Sequence, residues 1–196
     1  MNTKNLLNSF FYNDNIEGIL RAYPFFVIFA SLILTLFNTK FISLFILLII
    51  SELINPILKY FSTQLLKSSI SQRPREYKNC SIFYSNRLSS SNGMPSGHSQ
   101  ITTIFLCYIL YHIVYNNTEH STNNKVDMPL KNTNITLSKN NNKIIQYSIL
   151  SIICILSALV YISRSYYNCH TIPQIIIGML CGGLIFMVYL FINNKI

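Results

Sequence analysis

The chain has 196 residues, 51% hydrophobic and only 11% charged, far below the roughly one quarter charged that soluble domains carry. The apolar residues lie in long blocks rather than at helical intervals, which excludes an ordinary soluble core and predicts membrane spans. The formal net charge is +9, but the basic residues are scattered through loops with no basic helix face, so the balance suits anionic headgroups or a phosphate substrate and excludes nucleic acid as a partner.

In chain order, Thr3 to Arg21 has no apolar stretch ahead of a small-residue cleavage site, and so does not read as a cleavable signal. Phe10, Phe11 and Tyr12 suit an interfacial helix within residues 1–22. Spans are predicted at Tyr23–Phe37, Phe41–Tyr60, Ile101–Tyr115, Ile144–Ile162 and Ile172–Ile192. A span needs ~17–25 residues, so the first and third must borrow flanking residues. Between the third and fourth, residues 116–143 are polar and rich in Asn, Lys and Thr, and read as a disordered insertion within one domain covering 1–196. The expected fold class is all-α: a multi-span helical bundle.

Three clusters sit in the connections. Lys67-Ser-Ser-Ile-Ser-Gln-Arg73-Pro74-Arg75 is by itself either a solvated juxtamembrane patch or a phosphate cradle, because guanidinium offers a rigid donor fork and ammonium a point charge. Gly93-Met-Pro95-Ser96-Gly97-His98-Ser-Gln100 reads as a Gly/Pro turn capped by Ser before a helix. That turn also presents the positive end of a helix, a natural anion site, with His98 beside it as a proton donor. Ser163-Arg164 through His170 to Gln174 offers either a snorkelling Arg and a capping His, or functional groups bracketing two spans. Alternating spans place residues 61–98 and 163–171 on one side of the membrane, so the clusters are expected to meet.

Taken together, the clusters resemble the type 2 phosphatidic acid phosphatase superfamily, whose pattern is a Lys and an Arg-Pro element, then Pro-Ser-Gly-His, then Ser-Arg with a His six residues on. The resemblance covers about residues 50–190 without the insertion, and the flanks are similar to dolichyldiphosphatase: Gly93 to Gln100 matches except at Gly97, His170-Thr171 is followed by Gln174 and Gly178, and Cys169 stands where that family has Tyr. Two departures from the superfamily are visible. Gln174 replaces the usual Asp, as in the dolichyldiphosphatase-like pattern. The family places Arg seven residues after Lys, whereas Arg73 and Arg75 follow Lys67 by six and eight.

The resemblance implies a lipid phosphatase with no metal and no cofactor. His170 would be the nucleophile and His98 the acid and then base. Lys67, Arg75, Arg164, Ser96 and Gly97 would hold phosphate, and Gln174 would orient His170. Arg73 is the other candidate for the first motif, with Arg75 preferred on the Gln-x-Pro-Arg match. The implied substrate is a polyprenyl (dolichyl-type) diphosphate, and the implied place is the endoplasmic reticulum membrane with the site facing the lumen. A phosphatidic acid or other lipid monophosphate phosphatase shares every core residue, and a catalytically silent lipid-binding scaffold is the non-enzymatic reading. Of five cysteines, Cys80 and Cys169 lie in polar loops and are open to pairing. Asn79-Cys80-Ser81 is a glycosylation sequon on the cluster side.

Overall fold

A computed structural model of the chain describes residue 11 and residues 14–66, 68–73, 92–123 and 133–193, without the side chains of residues 68–69, 114–123 and 133–143. Its secondary structure is helical: α1 (Asp14–Phe37), α2 (Ile42–Leu65), the single turn α3 (Ser68–Ser71), α4 (Gly97–Asn123), α5 (Thr133–Tyr166) and α6 (Ile172–Ile192). Among the described residues, four stretches are long and apolar enough to cross a membrane: Asp14–Phe37, Thr39–Leu65, Ile144–Tyr166 and Ile172–Ile192. The molecule is thus an all-helical membrane bundle.

The α4 helix contains the stretch read from the sequence as the third span, Ile101–Tyr115, with side chains described as far as residue 113. It packs against α6, α5, α2 and α1. That central position explains its polarity: Ser99, Gln100 and Thr102 are fully buried and find partners inside the bundle rather than meeting lipid. Gln100 donates from Nε2 to the Ser51 hydroxyl at 2.8 Å and accepts from Asn55 Nδ2 at 2.9 Å. With no water in the hydrocarbon layer, such groups must be satisfied by the protein itself. Below this polar layer, Leu44, Leu48, Ile101, Ile104, Tyr108 and Phe186 form the apolar core. Large apolar side chains such as Phe25, Phe29, Leu53, Ile155 and Leu184 point outward, as a lipid-facing surface requires.

Lipid supplies no hydrophobic drive for helix–helix contact, so close packing must come from small residues. Gly178 and Gly182, one turn apart, lie against the Ser96 and Gln100 backbone carbonyls, and a Cβ at either position would overlap them. That contact seats α6 directly under the start of α4.

The stretch expected to carry an interfacial helix, residues 1–22, is described only at Phe11 and from Asp14 onward. From Asp14 onward the chain is one helix with the first span, because nothing between Asp14 and Tyr23 breaks it and Pro24 is accommodated within α1. Residues 1–10, 12 and 13 lie outside the described residues. Helical backbone enters both ends of the stretch read as disordered: α4 runs to Asn123 and α5 starts at Thr133, with 124–132 outside the description.

Candidate active site

The polar end of the bundle gathers the end of α2, the turn α3, the start of α4, the end of α5 and the start of α6. The connection from α5 to α6 explains the six-residue interval between Arg164 and His170. After Tyr166 the chain turns through Asn168, whose φ of 52° lies in the left-handed region that Asn tolerates better than most residues. The turn closes on one acceptor: the Arg164 carbonyl receives the N–H groups of Cys169 at 2.9 Å and His170 at 3.0 Å. His170 is therefore held beside the base of Arg164, and both side chains are buried.

Thr171 then caps α6, with Pro173 in the first turn, where a missing N–H costs nothing. Gln174 is fully buried and acts as a hub. Its Nε2 donates to the carbonyls of Ile70 at 3.2 Å and Gln72 at 3.0 Å. Those two bonds fix the amide orientation, so its Oε1 faces Thr171 N–H and His170 Nδ1, each at 3.3 Å. His170 Nδ1 consequently carries the proton and Nε2 the lone pair. The Gln174 carbonyl accepts the Ser96 N–H at 3.1 Å, and Gly93 lies so close to the Gln174 amide that any Cβ there would overlap it. One glutamine thus ties the Arg73 segment and the Pro95-Ser96 turn to the histidine.

Arg73 Nη2 lies 3.4 Å from His170 Nε2, so the unprotonated nitrogen faces a guanidinium. Lys67 and Arg75 lie outside the described residues. A lysine not singled out in the sequence, Lys59 near the end of α2, exerts its charge on His98, His170 and Arg73. Its signal was present: an isolated Lys in an apolar block is unusual enough to mark a site.

Ser96 and His98 open α4. The Ser96 hydroxyl oxygen accepts from the Ser99 hydroxyl at 3.0 Å and from the Ser99 N–H at 3.5 Å, the behaviour of a helix cap. Its N–H is spent on Gln174, which leaves the hydroxyl proton as its donor toward a ligand. Gly97 rests on Asn55, where a Cβ would press the Asn55 side chain. His98 Nε2 lies 2.9 Å from the Arg21 carbonyl, and because a carbonyl only accepts, Nε2 carries the proton and Nδ1 is basic. Arg164 donates from Nη2 to the Leu20 carbonyl at 2.9 Å and from Nε to the Ser163 hydroxyl at 3.2 Å, while its buried Nη1 has no protein partner.

The electrostatics follow from this crowding of cations. Burial, then the Arg164 charge, pushes His98 down to about 3, and burial, then Arg73, holds His170 well below the usual histidine range. Both imidazoles are therefore neutral near pH 7 in the empty site. Chemically the arrangement brings guanidinium groups to a nucleophilic imidazole nitrogen at His170 and a second imidazole at His98, groups suited to an anionic ligand. Among the described residues no group of three His, Cys, Asp or Glu side chains is placed to hold a metal ion.

No curated protein and no solved structure matches the chain. A family model does, that of the PAP2 superfamily, over residues 40–196. The match takes in α2 through α6 and every cluster of the polar end. This chain, an integral-membrane helical bundle, belongs to the PAP2 superfamily, whose members are phosphatases.

Proposed function

We propose that the protein hydrolyses a polyprenyl diphosphate of the dolichyl type to the monophosphate through a phosphohistidine. The observation that carries the reading is the pairing of His170 Nε2, bearing its lone pair, with the Arg73 guanidinium at 3.4 Å. A phosphoryl group entering between them meets a nucleophile and a charge clamp at once.

Nε2 of His170 attacks the terminal phosphorus, and the anhydride P–O bond breaks. His98 gives its proton to the departing lipid phosphate. It then takes a proton from water, whose oxygen attacks the phosphohistidine; the P–N bond breaks and inorganic phosphate leaves. Arg73, Arg164, Lys59 and the opening turn of α4 at Ser96-Gly97 stabilise the equatorial oxygens. The phosphate dianion supplies the negative charge that lets His98 protonate, which the empty cationic site resists. Three cations in one pocket suit a diphosphate, the more highly charged headgroup, over a monophosphate. The Gly93–Gln100 flank, similar to dolichyldiphosphatase, supports the same substrate.

We place the site in an oxidising compartment, consistent with the lumen of the endoplasmic reticulum. Cys169, next to His170, is buried and disulfide-bonded, whereas Cys107, Cys154 and Cys181 on the helices are free.

The test is phosphate release by purified protein from a panel of polyprenyl diphosphates, polyprenyl phosphates and phosphatidic acid. Turnover is expected on the diphosphates, abolished by His170→Ala. Arg73→Ala is expected to cost about 100-fold, a typical value for one transition-state charge contact. Preference for phosphatidic acid would move the protein to the lipid monophosphatases, and no turnover on any substrate would mark a silent scaffold.

A further inference from the structure

The family match begins at residue 40, so α1 lies outside it. Yet α1 meets both a histidine and an arginine of the polar end. Proline has no N–H, so Pro24 leaves the carbonyl four residues earlier, that of Leu20, without its helical donor. This is the carbonyl that Arg164 Nη2 contacts at 2.9 Å. The next carbonyl, of Arg21, receives His98 Nε2–H at 2.9 Å. Phe11, ahead of α1, bears on the same region: the Tyr167 hydroxyl donates to the Phe11 carbonyl at 2.9 Å, and Phe11 packs with Leu20 and Val160 in a buried cluster. Arg21 itself is buried and paired with Glu17, one turn away.

Resting on the reading above, we propose that α1 is a positioning wall of the active site, in which the Leu20 carbonyl freed by Pro24 sets the Arg164 guanidinium and the Arg21 carbonyl sets the His98 tautomer. The two contacts divide the work. Holding Nη2 leaves Nη1, buried and without a protein partner, to face the phosphoryl group. Holding Nε2–H leaves Nδ1 of His98 as the nitrogen that exchanges a proton with leaving group and water. Backbone carbonyls suit both tasks, because they accept hydrogen bonds without bringing a negative charge that would compete with phosphate for the arginine.

Pro24→Ala tests this directly. Alanine restores an N–H at position 24, which draws the Leu20 carbonyl back into the helical ladder and away from Arg164. Alanine is also the better helix former, so insertion is expected to survive. On the preferred lipid diphosphate, kcat is expected to fall about tenfold, the loss of a well-aimed rather than an absent contact, with KM changed less than about threefold. The alkaline limb of the kcat–pH profile is expected to move, because α1 acts on His98 through the Arg164 guanidinium, which disfavours its protonated form, and through the Arg21 carbonyl, which favours it. A merely structural role for α1 would leave that limb in place. Phe29→Ala, on the lipid-facing side of the same helix, is the control and is expected to behave as wild type. Wild-type kcat and pH limb in Pro24→Ala, or an equal loss in Phe29→Ala, would overturn the proposal. If Pro24→Ala does not accumulate, Tyr167→Phe decides: it frees the Phe11 carbonyl, loosens the packing of Phe11 on Leu20 of α1, and is expected to show a smaller loss with the same shift of the limb, and no change in either overturns the proposal. Failure of the wild-type protein to release phosphate from any lipid sinks the functional reading itself; an active wild type with an unaffected Pro24→Ala sinks only the role of α1.

Discussion

At the scale of single residues, Gln174 carries an unusual load for a neutral side chain. A carboxylate at this position would accept from His170 Nδ1 and stabilise an imidazolium, but it has no donor for the Ile70 and Gln72 carbonyls. Gln174→Glu therefore separates the two roles. It keeps the acceptor for His170 and puts a negative charge against two backbone oxygens, leaving part-buried acceptors without their donor at up to about 1–3 kcal/mol each. If the hub matters, Gln174→Glu loses about as much kcat as Gln174→Leu, ten- to hundredfold on the same basis. Activity at or above wild type in the Glu variant would show that only the bond to His170 counts. The same reasoning explains Gly93, which is glycine because the Gln174 amide occupies the space of a side chain.

Among the elements, α6 is the part whose position decides the site. It brings Gln174 under the Ser96 turn by approaching to within backbone contact at Gly178 and Gly182. A methyl group at Gly178 meets the Ser96 carbonyl, which is main chain and cannot rotate away. Gly178→Ala is expected to push α6 off α4, break the bond from Ser96 N–H to the Gln174 carbonyl, and lower kcat at least tenfold while the protein still inserts. Gly183→Ala, where a Cβ meets nothing within 4 Å, is expected to be silent. Equal activity of the two variants in a phosphate-release assay would contradict this account of α6.

For the whole molecule, the question is which side of the membrane the polar end faces. Among the described residues, the groups of the candidate site lie at one end of the bundle, and so does the disulfide-bonded Cys169. Thiol labelling of the denatured, unreduced protein, followed by mass spectrometry, is expected to modify Cys107, Cys154 and Cys181 and to reach Cys169 only after reduction. Glycan on Asn79 and none at the sequons Asn116-Asn117-Thr118 and Asn134-Ile135-Thr136, which the alternation of spans puts on the opposite side, would agree with a lumenal site. A freely reactive Cys169 together with a glycan on Asn134 would place the site in the cytosol.

The sequence by itself determined the bundle, its last helix to the residue, and the meeting of clusters far apart along the chain. Long apolar blocks fix spans by length alone, and alternating spans fix which loops share a side. The first helix was legible only from Tyr23, because its polar opening turns carry Arg21 and Glu17, whose burial and pairing are tertiary facts. The sequence also preferred Arg75 over Arg73, on the Gln-x-Pro-Arg match, and Arg75 lies outside the described residues. What the structure adds is Arg73 against His170, just past the short turn α3, and the Lys59 charge arriving from α2. Only the tertiary structure decided the nitrogen of each histidine that bears the proton, the orientation of the Gln174 amide and the use of the Leu20 and Arg21 carbonyls. Those depend on backbone acceptors, which every residue possesses and no residue letter advertises.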